Sequence, residues 1–306
     1  MPKSVFSGRL SALRRGKPDV QSFGGDRAMA NWGKHMKLTV RILSASLLAL
    51  AVGLTSTTTS AAGKQASLAD ALQIIQGKEF VDLTHSFSPT TPVWGGFGQA
   101  TMSAASDPKT HRPYTIEKDG FRSIVYSMVG QYGTHIDPPA HFNADGMTMD
   151  QIPLKQMILP LVVFDMTPML KTEPNHALTV DDIKAWEKAH GPVPAGAFAA
   201  LRTDMYKDWD SNPEQFKRSP FPAWSLAAIK FLFDERKVTA IGHESLDTDT
   251  SESMESESWL LKQNHFQIEV MANLDKIPAT GAIIVVAWPK VENGFGFPVR
   301  AFAILP

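Results

Sequence analysis

The segment GTHIDPPAHF, residues 133–142, constrains this chain more than any other. A long β-prone run, FRSIVYSMVGQYGTHID, leads into it and must stop at Pro138-Pro139, which cannot continue a hydrogen-bonded ladder. Side chains two apart on a strand share a face, so His135 and Asp137 point together. The chain then turns at the prolines, and His141 can swing back toward the same point. Two imidazoles and a carboxylate converging form the mixed nitrogen/oxygen shell of zinc, manganese or iron. The alternative is plain structure: histidines at a strand end and an Asx-turn before the prolines.

A second acid lies in HFQIEVMANL. Phe266, Ile268 and Val270 are expected on one face and Gln267, Glu269 and Met271 on the other. Glu269 is a carboxylate in an apolar strand, and burying it ionised requires a cation or a donor. A metal ion is one solution; a salt bridge to Arg300 or Lys276 is the other.

The rest of the chain alternates strand-like and helical patterns. LPLVVFDM, AFAALRTD, VTAIGHES, GAIIVVAWP and PVRAFAIL read as strands. SLADALQIIQG, TVDDIKAWEKAHG, SLAAIKFLFDERK and SESMESESWLLKQN read as helices, the first two opened by Ser67 and Thr179. The pattern predicts one α/β domain over residues 63–306. The acidic run DTDTSESMESE lacks the glycine and spacing of an EF-hand and is expected to be a solvated loop entering a helix.

Composition removes several classes. There are no cysteines among the 306 residues, which excludes disulfides, zinc-thiolate sites and cysteine nucleophiles. Residues 1–62 hold nine Lys/Arg against two acids, so 21 of the 30 basic and 29 of the 31 acidic residues fall in the remainder. An acidic body argues against a nucleic-acid partner. No G-x-S-x-G motif supports a serine nucleophile.

Lys34, Lys37 and Arg41 precede the apolar run ILSASLLALAVGL and the small polar residues TSTTTSAA. This is the pattern of a secretory signal peptide over residues 36–62, with residues 1–35 an upstream extension before Met36. The apolar run is shorter than the ~20 residues that span a bilayer, so no stable membrane anchor is expected. The mature protein is expected to be exported, and periplasmic if the source is Gram-negative.

The segment QYGTHIDPPAH, residues 131–141, resembles the signature H-x-G-T-H-x-D-x-P-x-H of the cyclase family of metal-dependent hydrolases. VDLTHSFSPTTPVWGG, LRTD, IEVMANLDKIP and FPVRAFAIL resemble further segments of that family in the same order, so the similarity covers nearly all of residues 80–306. The resemblance implies a β-barrel-like core with peripheral helices, a homo-dimer or homo-tetramer, and hydrolysis of an amide bond in a small molecule such as an N-formyl aryl amine or isatin-like lactam. A dehydratase or cyclase of the same family, and a non-catalytic periplasmic binding protein, are the alternatives. It places His135, Asp137, His141 and Glu269 at metal positions, with zinc or manganese as the ion. His141 is also the candidate for proton transfer, a role it cannot combine with ligation through the same nitrogen. Gln131 and Glu257 stand where the family has histidines, which argues against a binuclear zinc centre. Gln131 could ligate through its oxygen or hydrogen-bond near the ion. His243 and His265 are further candidates for ligation or support, although His265 would also suit a helix carboxyl end. Trp94, Phe97, Phe142 and His85 are candidates for a substrate pocket, the aromatics reading equally as core.

Overall fold

The computed structural model describes residues 67–250 and 253–306, all within the compact unit Gly63–Pro306. The expected upstream extension and signal peptide lie outside the described residues. Among the described residues, no helix is long and apolar enough to cross a membrane.

The strands in chain order are β1 (Phe80–Asp82), β2 (Thr101–Ala104), β3 (Ile124–Ser127), β4 (His135–Asp137), β5 (Ile158–Asp165), β6 (Ala177–Leu178) and β7 (Phe198–Arg202). They continue with β8 (Ala223–Trp224), β9 (Ala240–His243), β10 (Phe266–Glu269), β11 (Ala282–Ala287), β12 (Phe297–Pro298) and β13 (Arg300–Ile304). Nine of them form one curled, half-barrel sheet in the order β1-β13-β11-β5-β7-β9-β10-β4-β12. The pairs β5-β7, β7-β9 and β9-β10 are parallel, and helices fill the crossovers. The flanking pairs are antiparallel. This is the expected α/β fold with a barrel-like core.

Alternation along the central strands divides the core in two. Leu161, Val163, Phe198, Ala200, Ala240 and Ile268 pack on one side with β11 and β13 residues such as Ile284 and Ala301. Val162, Phe164, Ala199, Leu201 and Ile241 face the other side, where Ile183, Ile229, Leu232 and Leu261 cover them. Those covering residues come from the helices Val180–His190, Leu226–Lys230 with its π-helical continuation Phe231–Glu235, and Glu255–Lys262. Thr179 and Asp182 form the expected reciprocal capping box. Ser67 and Asp70 do the same for Leu68–Gln76, which buries none of its residues.

Two expectations are corrected. The β-prone run before the prolines is two elements: β3 pairs with β2 in a separate ribbon, and only β4 joins the main sheet. Gly133, at φ 66°, makes the intervening turn in a conformation that side chains rarely adopt. The acidic run is not a solvated loop, because Asp247, Thr248, Asp249 and Glu257 are buried. Asp249 accepts hydrogen bonds from the backbone N–H groups of Ser256 and Glu257, so it caps the helix that carries Glu257.

Candidate metal centre

The site is set by the register of two strands. In the antiparallel β4-β10 pair, His135 lies opposite Glu269 and Asp137 opposite Gln267. Each pair of residues is two apart on its own strand, so all four side chains occupy one face. The turn Pro139–His141 then brings His141 back, and the capped helix adds Glu257 from above.

Ligand-type atoms of His135, Asp137 and Glu269 lie within 4.8 Å of one another, as do those of Asp137, His141 and Glu257. His135 Nε2 is 3.5 Å from Asp137 Oδ2 and 3.6 Å from Glu269 Oε2. Its Nδ1–H donates to the Gly133 carbonyl at 2.8 Å, which directs the Nε2 lone pair of the neutral ring into the site. His141 Nε2 is 3.9 Å from Asp137 Oδ1.

Electrostatics show what the cluster lacks. Burial, followed by the charges of Glu269 and Asp137, pushes the Glu257 carboxyl well above the usual range. Burial and then Asp137 do the same to Glu269. For His135, burial favours the neutral ring, but Asp137 and Glu269 outweigh it and hold the proton up to about 9. Burial opposes ionisation of Asp137 too, yet His135 and His141 draw it down to about 2. Without a cation His135, Glu257 and Glu269 keep protons they would otherwise shed. A divalent ion supplies the missing charge, and neutral imidazole with carboxylates is a donor set for zinc or manganese. The residues present therefore fit such an ion.

A cavity of about 370 Å³ opens over this floor. Trp94, Phe97 and Phe142 line it as expected, together with Leu246, Asp247 and Met254. Trp94 meets Phe97 edge-on with ring centroids 5.0 Å apart, and Phe142 meets His141 at the same spacing.

The other candidates separate clearly. Gln131 faces the site with its nitrogen rather than its oxygen: Nε2 donates to the Phe295 carbonyl at 2.8 Å and to Asp137 Oδ1 at 3.2 Å. In this arrangement the amide nitrogen also lies 3.4 Å from His141 Nδ1, so Gln131 meets the site as a hydrogen-bonding group, the second of its two expected roles. His243 is fully buried behind the site, with Nε2 3.2 Å from Glu269 Oε1 but not aligned as a hydrogen bond; burial lowers it to about 4 and keeps it neutral.

His265 does not join the centre. Its ring packs on Phe233 at 4.1 Å, just beyond the helix end at Lys262. His85 does not line the cavity either; it stacks on Trp209 at 4.2 Å, and burial lowers it to about 4. Glu269 is not paired with Arg300 or Lys276, which bond to Asp82 and Asn273. Thr134 ties the strands together, donating to the Val270 carbonyl and accepting from the His85 N–H.

The sequence reading missed Gln267 and Thr248. Both are fully buried, and Gln267 hydrogen-bonds Asp137, Glu257 and Glu269. The available signal was a polar residue between Phe266 and Ile268, two positions from the suspect glutamate.

Isatin hydrolase of Roseibium aggregatum is 33% identical over 253 residues, covering 74% of this chain and 92% of that protein. Kynurenine formamidase of Paracidovorax citrulli is 26% identical over 184 residues, covering 59% of this chain and 78% of that protein. The solved structure of isatin hydrolase A from Labrenzia aggregata, bound to benzyl benzoate, superposes with a TM-score of 0.69 at 28% identity, covering 78% of this chain and 99% of that one. The sequence profile of the Cyclase family matches residues 81–250. With that match over more than half its length, the chain belongs to the Cyclase family.

Proposed function

We propose that this protein is a metal-dependent hydrolase that cleaves the C–N bond of a small aryl amide, an N-formyl aryl amine or an isatin-like lactam. The observation that carries the reading is the buried His135–Asp137–Glu269 donor group at the floor of an aromatic-lined cavity. The likeness to isatin hydrolase and kynurenine formamidase supports the C–N bond as the target.

His135, Asp137 and Glu269 would hold the ion, zinc or manganese. When bound, such an ion acidifies a water and polarises a carbonyl oxygen, the two requirements for hydrolysing an unactivated amide. Trp94, Phe97 and Phe142 supply flat apolar surfaces against which an aryl ring can stack, and they keep bulk water from the reacting bond. His141, with 26% of its side chain exposed, stands at the cavity wall and is the group that carries a proton toward the departing amine nitrogen. The Gln131 amide restrains Asp137 Oδ1 beside it. Water adds across the C–N bond to give a carboxylate and a free amine.

The test is a panel of isatin and N-formyl aryl amines, assayed with added manganese or zinc and again after chelation. Hydrolysis of at least one that stops on chelation is expected. Ligand binding without turnover would favour a binding protein, and loss of water from a hydroxylated substrate a dehydratase. We further propose that the protein is exported, periplasmic in a Gram-negative source, and works as a homo-dimer or homo-tetramer. Cell fractionation and light scattering test these two points; cytosolic retention or a monomer would contradict them.

A further inference from the structure

The cavity over the metal centre has a neighbour. A second cavity, of about 570 Å³, is lined by Val93, Lys217, Arg218 and Phe221, and it shares Trp94, Leu246 and Asp247 with the first. Those three residues are the wall between the two. Leu246 packs on the cluster of Trp209, Phe216 and Val270. Asp247 is buried, and its Oδ1 accepts from the Asp249 N–H at 2.9 Å. Both are fixed to the core, whereas Trp94 is 43% exposed on a loop.

What holds the indole is local. The Phe97 N–H donates to the Trp94 carbonyl at 2.9 Å, closing a β-turn with Gly95 and Gly96 at its centre. The ring folds back over that turn and meets Phe97 edge-on at 5.0 Å. A Cβ on Gly96 would overlap the ring itself at Cε3, Cζ3 and Cη2, so the indole takes this position because residue 96 has no side chain. Gly98, on the same loop, is different: a Cβ there meets nothing within 4 Å. The first cavity, about 370 Å³, is at the small end of the ~300–1,000 Å³ of small-molecule sites. Room for more than one ring system lies on the far side of Trp94. Val93 and Phe221, both buried, give a second ring an apolar lining there.

We propose that Trp94, seated on Gly96, is the specificity-determining residue of the site: it closes the metal-site cavity against the second one and so confines hydrolysis to compact aryl amides. The inference rests on the aryl-amide hydrolase reading above. Gly96 is a positioning residue that acts through the indole. Shifting or removing the ring joins the two cavities, and the second becomes a subsite for an additional aromatic ring.

The experiment compares isatin and N-formylaniline with their phenyl-substituted analogues. Full-length wild type, Trp94→Ala, Gly96→Ala, Gly98→Ala and the Trp94→Ala/Gly96→Ala double variant are assayed with manganese for kcat and KM. Calorimetry measures binding of the same compounds. The wild type should favour the compact member of a pair by about tenfold or more, the scale of discrimination that pocket shape achieves. Trp94→Ala and Gly96→Ala should each erase most of that preference, chiefly through a lower KM for the phenyl-substituted compound, while Gly98→Ala keeps it. Once Trp94 is alanine, Gly96→Ala should change nothing further, because its effect passes through the indole. A wild type without the preference, a Gly96→Ala that behaves like the wild type, or a Gly96→Ala effect that persists without Trp94 overturns the proposal alone. A wild type that neither hydrolyses nor binds any of these compounds overturns the aryl-amide reading and the proposal with it. Binding without turnover overturns the hydrolase reading, and the binding preference then decides the role of Trp94 by the same criteria. If circular dichroism shows Trp94→Ala to be unfolded, the contrast between Gly96→Ala and Gly98→Ala decides.

Discussion

Asp137, Glu257 and Glu269 are buried together, a concentration of carboxyl groups whose ionisation a divalent ion would favour. His135→Ala and Asp137→Ala each remove a donor from the group that best accommodates an ion. Both variants should stay folded by circular dichroism while losing calorimetric Mn²⁺ binding and about a hundredfold or more of amide hydrolysis. Full turnover in either would contradict the roles given to these residues. A different buried acid reports through stability. Burial raises the Glu244 carboxyl to about 7, against the pull of two hydrogen bonds from Thr203. The folded protein therefore keeps a proton that the unfolded chain releases near pH ~4.3. Its contribution to stability is complete below that value, declines as pH rises to about 7 and is then lost. In Glu244→Gln that decline should vanish, so the variant gains on the wild type in melting temperature between pH 4.5 and 7.5. A constant difference across that range would contradict the assignment. At this scale the motif around His135 was legible because its residues are neighbours in sequence. Gln267 and Thr248 were not, since their meaning depends on a strand register that joins positions 130 residues apart. His85 and His265 misled because ring stacking on Trp209 and Phe233 exists only in the folded chain.

Among the elements, the narrowest tolerance lies where β4 meets β12. A Cβ on Gly130 would stand 2.2 Å from the Gly296 carbonyl oxygen, and backbone atoms cannot swing aside as a side chain can. Gly130→Ala should therefore part the Phe297–Ile136 and Pro298–His135 pairing and displace the neighbouring Gln131. Urea unfolding should show a loss of about 2 kcal/mol, in the range of overpacked sites, and Mn²⁺ binding should weaken in parallel. An unchanged midpoint would mean that the close approach is dispensable. Helices were readable in advance because caps and periodicity are local, as at Thr179 and Asp182. The run before Pro138 was not, because apolar β-branched residues suit a small ribbon and a main-sheet strand equally well. The turn at Gly133 that separates the two depends on its positive φ, which sequence does not print.

Across the molecule, the curled sheet places β4 and β10 side by side with the aromatic loop of Trp94 and Phe97 above them. Residues from positions 94 to 269 meet in one cavity, so ion binding is coupled to the fold as a whole. An ion at about a hundred times its dissociation constant adds about 2.7 kcal/mol. At roughly 2–4 °C per kcal/mol for a domain of this size, saturating manganese or zinc should raise the melting temperature by about 5–10 °C. No shift on adding either ion would contradict the coupling. The most direct test of the central claim is elemental analysis of the purified, dialysed protein. About one equivalent of manganese or zinc per chain is predicted; no bound metal, and none taken up when both are supplied, would contradict the account.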